Sequence, residues 1–131
     1  MAKKVLTVDD DPDISAFVKT VLEENGYNAV IAKNGETGLS MARKEKPELV
    51  ILDVLMPKQS GIKMYRELKS DVALKNIPVI ILSGIAKRTF LRSQEALTEF
   101  GDLPVPEPEL YIEKPVEPDE LAEAVKSLIG G

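Results

Sequence analysis

The chain has 131 residues, 44% of them apolar and 30% charged, with a net charge of −5 and neither cysteine nor histidine. That length suits one domain with a real core, no run is apolar for long enough to span a bilayer, and an acidic balance without a basic cluster argues against direct nucleic-acid binding. The missing residue types exclude a histidine base, a cysteine nucleophile and the usual zinc ligands, which leaves carboxylates, hydroxyls and lysine to carry any chemistry. The apolar stretch after Met1-Ala2-Lys3-Lys4 is broken by Asp9 before a secretory segment can form, so a cytoplasmic location is expected.

Val5-Leu6-Thr7-Val8 reads as a strand running into Asp9-Asp10. Asp11-Pro12 then predicts an N-cap with proline at the first helical position, ahead of an apolar stripe of Ile14, Phe17, Val18, Val21 and Leu22 that Asn25-Gly26 ends. Tyr27 to Ala32 has the mixed polarity of an edge strand. Asn34-Gly35 opens a short helix that stops before Pro47 and offers Leu39 and Ala42 as a modest face. Leu49-Val50-Ile51-Leu52 is a strand into Asp53, followed by a loop through Pro57 and Gly61 and a helix carrying Ile62, Tyr65, Leu68 and Val72. Pro78 marks the entry to Val79-Ile80-Ile81-Leu82, which runs into Ser83. Residues 85–100 favour helix, but Ile85, Phe90, Leu91, Leu97 and Phe100 share no single stripe, so exposed apolar surface is expected there. From Gly101 to Glu109 alternating prolines forbid helix and cannot donate ladder hydrogen bonds, which predicts an extended loop. Leu110-Tyr111-Ile112-Glu113 leads into Lys114, and Glu117-Pro118 begins a final helix with Leu121, Val125, Leu128 and Ile129 on one side.

Strands alternating with helices from end to end predict a parallel sheet covered on both faces. In such a sheet the carboxyl ends of the strands share one edge, where acids, a hydroxyl and an ammonium converge as in a phosphate-handling site. Asp9, Asp10 and Asp53 suit a hard dication such as Mg²⁺, which takes oxygen ligands and keeps waters; singly, each acid could as well be a cap or turn residue. Lys114 could bridge to a carboxylate and later to a phosphoryl oxygen, or be a surface lysine at a strand end. Ser83 could donate to the same oxygen or simply serve a turn. Tyr111 reads as a core residue by composition, although it stands near the end of its strand.

Taken in order, Val8-Asp9-Asp10-Asp11, Leu52-Asp53 with Met56-Pro57 and Gly61, Leu82-Ser83, and Tyr111-Ile112-Glu113-Lys114-Pro115 resemble the receiver domain of two-component response regulators, of the chemotaxis-regulator kind. The resemblance covers essentially all of residues 1–131 and implies one α/β domain: a flavodoxin-like, doubly wound, five-stranded parallel sheet in the order 2-1-3-4-5 with helices on both faces. It implies that Asp53 is the phosphoacceptor, that Asp10 and Asp53 ligate Mg²⁺ directly, that Asp9 acts mostly through water, and that the main-chain carbonyl of Leu55 completes the protein ligands. Lys114 would neutralise a phosphoryl oxygen and form a cis peptide with Pro115, Ser83 would move to bond the phosphoryl group, and Tyr111 would turn inward with it. Such a domain catalyses its own phosphorylation and dephosphorylation and is not a turnover enzyme on external substrates. The implied partners are a histidine kinase or histidine phosphotransfer protein, a downstream protein target or output domain, and a second copy in a phosphorylation-dependent homodimer. Lacking histidine, the chain cannot be its own phosphohistidine donor.

Departures from the family pattern lie between Ser83 and Lys114. That interval is longer than expected, with Gly101 to Glu109 looking like an insertion beside the face receivers commonly use for partner contact or dimerisation. Gly84 stands where alanine is frequent. Leu55 and Ile85, two residues beyond Asp53 and Ser83, offer no polar group to orient an attacking water, which predicts slow self-dephosphorylation. A haloacid-dehalogenase-like phosphatase, with Asp9 as nucleophile, Asp11 as acid and Ser83 and Lys114 as phosphate ligands, uses the same strand ends. Against it, Asp13 stands where that motif has Thr or Val, and no cap domain is present. Asp9, Asp11 and Asp13 also alternate as in a calcium loop, but glycine would be needed at Ile14 and glutamate at Thr20. An adaptor that signals without phosphorylation is the remaining alternative, and it leaves a full set of expected site residues without a use.

Overall fold

The apolar runs pair with one another in a single sheet. The structure, a computed structural model, describes residues 2–57 and 60–130. Met1, Gly131, and Lys58 and Gln59 of the loop after Pro57 lie outside the described residues. Strands β1 (Lys4–Val8), β2 (Asn28–Ala32), β3 (Leu49–Leu52), β4 (Val79–Ser83) and β5 (Leu110–Glu113) lie in the order β2-β1-β3-β4-β5. All neighbours are parallel. Every residue of β3 and β4 is buried, as expected of strands covered on both faces, while β2 and β5 form the edges and are more open.

Side chains alternate between two cores because successive residues of a strand point to opposite faces. Val5, Leu49, Ile51, Ile80 and Leu82 pack with Val18, Leu22, Leu121 and Val125, under helices α1 (Pro12–Glu24) and α5 (Pro118–Ile129). Leu6, Val8, Val50, Leu52 and Ile81 pack with Leu39, Met64, Leu68 and Phe90, under α2 (Gly35–Glu45), α3 (Ser60–Ser70) and α4 (Lys87–Glu99). Helix α1 starts as its sequence dictates: the Asp11 carboxylate accepts from the amides of Asp13 at 2.9 Å and Ile14 at 3.4 Å. It ends at Asn25, after which Gly26 takes a φ of +86° that other residues rarely adopt. No helix among the described residues is long and apolar enough to cross a membrane.

Three expectations need correction. Tyr27 belongs to the core ahead of β2, which begins at Asn28. Val72 is not on the stripe of α3; it is 83% exposed, because Asp71 turns the chain by accepting from the Ala73 amide at 2.8 Å, and Met64 takes an inward place beside Tyr65 and Leu68. Helix α4 begins only at Lys87, so Ile85 stays in the preceding loop. The unmatched apolar residues near its other end do remain open, with Phe100 89% and Leu103 77% exposed.

Residues 101–109 form no regular element and run against α3. Tyr65 donates its hydroxyl proton to the Pro106 carbonyl, and Arg66 reaches both the Leu103 carbonyl and Gln94 Oε1. The buried ammonium of Lys69 meets the Glu109 carboxylate at 2.8 and 3.1 Å.

Candidate functional site

Register brings the first two acids together. Val8 pairs with Leu52, so Asp9 and Asp53 leave adjacent strands side by side, and the Asp53 amide donates to the Val8 carbonyl at 2.9 Å. Gly61 lets the start of α3 rest on this strand end: a Cβ there would lie 2.2 Å from the Asp53 carbonyl oxygen and 2.6 Å from Val54 Cα. The motif glycine is therefore required by a close approach of backbone to backbone.

Asp9 and Asp53 are only 3% and 5% exposed, whereas Asp10 faces solvent. One carboxylate oxygen from each of Asp9, Asp10 and Asp53 lies within 4.8 Å of the others. The second strand pair, Ser83 with Glu113, sets Lys114 just beyond Ser83, and its amide donates to the Ser83 carbonyl at 2.9 Å. From there Lys114 Nζ reaches Asp9 Oδ2 at 3.0 Å and Asp53 Oδ2 at 3.4 Å. Each buried carboxylate has its other oxygen fixed by a local turn: Asp9 Oδ1 accepts from the Asp11 amide and Asp53 Oδ1 from the Leu55 amide, both at 2.9 Å. The Lys114-Pro115 peptide is cis, as the resemblance implies.

Burial pushes the Asp9 carboxyl above its ordinary value, against the pull of the Asp11 amide and Lys114. For Lys114 burial works to lower the value, but the hydrogen bond with Asp9 and the charges of Asp53 and Asp9 outweigh it and hold the ammonium above its usual range. Three carboxylates thus face one ammonium. The excess negative charge, the all-oxygen donor set and an exposed third acid that leaves room for water fit a hard divalent cation such as Mg²⁺.

Ser83 is wholly buried, and its Oγ accepts from the Ile85 amide at 3.4 Å. Tyr111 is half-buried and already turned inward: its hydroxyl donates to the Ile85 carbonyl at 2.6 Å and its ring lies 5.5 Å from that of Phe90. Burial, with the charges of Glu113 and Asp53, pushes its phenol up to about 12, so it is a donor at neutral pH. Leu55 lies beside the cluster with its amide engaged on Asp53. Two contributors escaped the sequence reading. The amide and carbonyl of Ile85 hold Ser83 and Tyr111, a backbone role that no side-chain pattern announces, and Glu113 caps α4 from β5 by accepting from the Lys87 amide at 2.9 Å.

Asp11 is exposed and occupied as the α1 cap, so it does not stand as a free acid beside Asp9, and the phosphatase reading finds no support. A family model described as the response regulator receiver domain matches residues 5–126, and the chain belongs to that family. It is therefore a receiver of two-component signalling, a class of signalling proteins and not of turnover enzymes acting on external substrates. The chain is 30% identical over 130 residues to the polar-differentiation response regulator DivK of Brucella anthropi, covering 99% of this chain and 98% of that one. Among solved structures, it is similar to the signal receiver domain of a signal transduction histidine kinase from Syntrophus aciditrophicus, with 33% identity, a TM-score of 0.81, and 98% and 90% of the two chains covered. A CheY-like response regulator receiver domain protein from Methanospirillum hungatei gives 26% identity, a TM-score of 0.80, and coverage of 97% and 93%.

Proposed function

We propose that Asp53 accepts a phosphoryl group from a phosphohistidine on a partner histidine kinase or histidine phosphotransfer protein. A carboxylate oxygen of Asp53 attacks phosphorus, the P–N bond to the partner's imidazole breaks, and the imidazole keeps the electron pair and takes up a proton. The observation that carries this reading is the placement of Asp53: nearly buried, one oxygen fixed by the Leu55 amide, the other 3.4 Å from Lys114, at the heart of a three-carboxylate cluster. Phosphoryl transfer asks a protein for positioning and charge neutralisation more than for covalent help.

Asp10 and Asp53 would hold Mg²⁺ directly, Asp9 mostly through water, with the Leu55 main-chain carbonyl as the remaining protein ligand. Bound there, the ion supplies neutralisation of charge on the phosphoryl oxygens. Lys114 meets a further phosphoryl oxygen as a point charge, and Ser83, whose hydroxyl proton has no acceptor among the described residues, donates to another. Tyr111 is the residue through which the change at Ser83 reaches the partner-binding face. The whole chain acts as one receiver in the cytoplasm, with residues 101–109 as its insertion. It passes the signal to a downstream protein target or output domain, or to a second copy, without touching nucleic acid or membrane.

Incubation with a small-molecule phosphodonor is expected to add one phosphoryl group per chain in Mg²⁺ and none after chelation, read as intact mass. With apolar Leu55 and Ile85 flanking the site, the purified phosphoprotein is expected to decay slowly. Decay as fast as the phosphodonor reaction itself contradicts that part of the proposal.

A further inference from the structure

The proline-rich segment before β5 does more than close a loop. Three residues on one side of α3 hold it at three points: Tyr65 takes the Pro106 carbonyl, Arg66 the Leu103 carbonyl with Asp102 at 3.7 Å, and Lys69 the Glu109 carboxylate. Grooves of about 470 and 490 Å³ flank it, so it is gripped by a few hydrogen bonds and the half-buried Val105 without close packing along its length.

One of these grips continues to the phosphoacceptor site. The Tyr65 ring meets Phe90 edge-on, with centroids 5.5 Å apart at 78°, and Phe90 meets Tyr111 at the same distance. Tyr111 donates to the Ile85 carbonyl at 2.6 Å, and the Ile85 amide donates to Ser83 Oγ. Pro106, Tyr65, Phe90, Tyr111, Ile85 and Ser83 are thus joined by contacts in which each member fixes the next.

We propose that residues 101–109 form a strap whose docking on α3 is coupled through this ring stack to the phosphoryl site, so that docking favours, and is favoured by, a phosphoryl group on Asp53. The coupling rests on the phosphoacceptor reading above. Its direction follows from the contacts: when Ser83 turns to the phosphoryl oxygen, the Tyr111 hydroxyl is what still holds the loop at Ile85, and Tyr111 keeps its place only while Phe90 and Tyr65 keep theirs. Linkage makes the effect reciprocal. Loosening the strap weakens binding of a phosphoryl mimic by the same factor by which the mimic tightens the strap.

The test uses the full chain, Mg²⁺ with beryllium trifluoride as the mimic, and amide hydrogen exchange followed by NMR. Tyr65→Phe keeps the ring and loses the hydroxyl, and Pro106 is exposed, so water can take over its carbonyl. Lys69→Met releases a different point of the strap, removes no hydrogen bond to α4 and preserves helix propensity, which guards against a fault peculiar to the first variant. Without the mimic, both variants are expected to shift and narrow the amide resonances of Leu103, Val105 and Glu107, and to speed exchange at Ile85 and Lys87, whose amides are hydrogen-bonded. With it, both are expected to bind about five-fold more weakly than wild type. Resonance changes confined to the strap with exchange at Ile85 and Lys87 unaltered, or unchanged affinity in both variants, overturns the coupling. Wild type that fails to bind the mimic overturns the phosphoacceptor reading and the coupling with it, an outcome distinct from wild type and variants binding equally well.

Discussion

Helices α1 and α4 are both 13 residues long, and they are held by different means. Helix α1 carries its own instructions. Asp11 caps it, proline opens it, and it buries Ser15, Val18, Val21 and Leu22. Helix α4 buries only Phe90 and Gln94, and Ala86 at its N-cap has no side chain to offer the first turn. Its support comes from elsewhere: Glu113 of β5 takes the Lys87 amide, Arg66 of α3 reaches Gln94, and the Phe90 ring is gripped between Tyr65 and Tyr111. A helix specified locally is part of the global fold, whereas one specified by distant partners can shift when a partner shifts. The second kind lies next to Ser83 and Tyr111, the pair proposed above to answer phosphorylation.

The comparison breaks most readily in the core. Leu22→Ala is expected to lower stability by about 3 kcal/mol as a shift of the denaturant midpoint at constant slope. Phe90→Ala empties an equally buried site, yet it is expected to open α4 locally, so that exchange in Lys87–Glu99 rises steeply and the global midpoint falls by less than for Leu22→Ala. A larger global loss for Phe90→Ala would show α4 to be as integral as α1. The caps give a smaller contrast. Asp11→Ala is expected to cost about 1 kcal/mol globally, while Glu113→Ala is expected to fray only the first turn of α4, seen as faster exchange at Lys87 with little change in the midpoint.

The smallest effect concerns pH. Burial opposes charge on Glu109, but hydrogen bonds from Lys69 and from the Val79 amide outweigh it and hold the carboxyl below its ordinary 4.5. Because the folded value is the lower one, this contribution is complete above 4.5 and is lost as pH falls through the lowered value. Acidification through that range is therefore expected to lower the denaturant midpoint of wild type slightly more than that of Glu109→Gln, in which this side chain no longer titrates.

The sequence is legible where structure is local or where residue type is unusual for its place. Asp9 and Asp53 stand out because acids end apolar strands, and Asp11-Pro12 and Glu117-Pro118 mark helix starts because proline and a cap are adjacent in the chain. Mixed polarity alone put the strand ending at Ala32 on an edge, while the rest of the strand order was reachable only through family resemblance. The parts that were not legible depend on contacts across the fold. Val72 keeps helical spacing with Leu68, but Asp71 has already turned the chain. The prolines foretold an extended 101–109 segment, yet not that Tyr65, Arg66 and Lys69 would hold it, because that depends on where α3 lies beside it. Ile85 acts through its carbonyl and amide, and every residue has those.

The central claim is that one aspartate, Asp53, carries the phosphoryl group. After reaction with a small-molecule phosphodonor and Mg²⁺, peptide mass spectrometry is expected to place the modification on Asp53 in wild type and to find none in Asp53→Asn. Phosphate on Asp9, or undiminished phosphate in Asp53→Asn, would contradict the account.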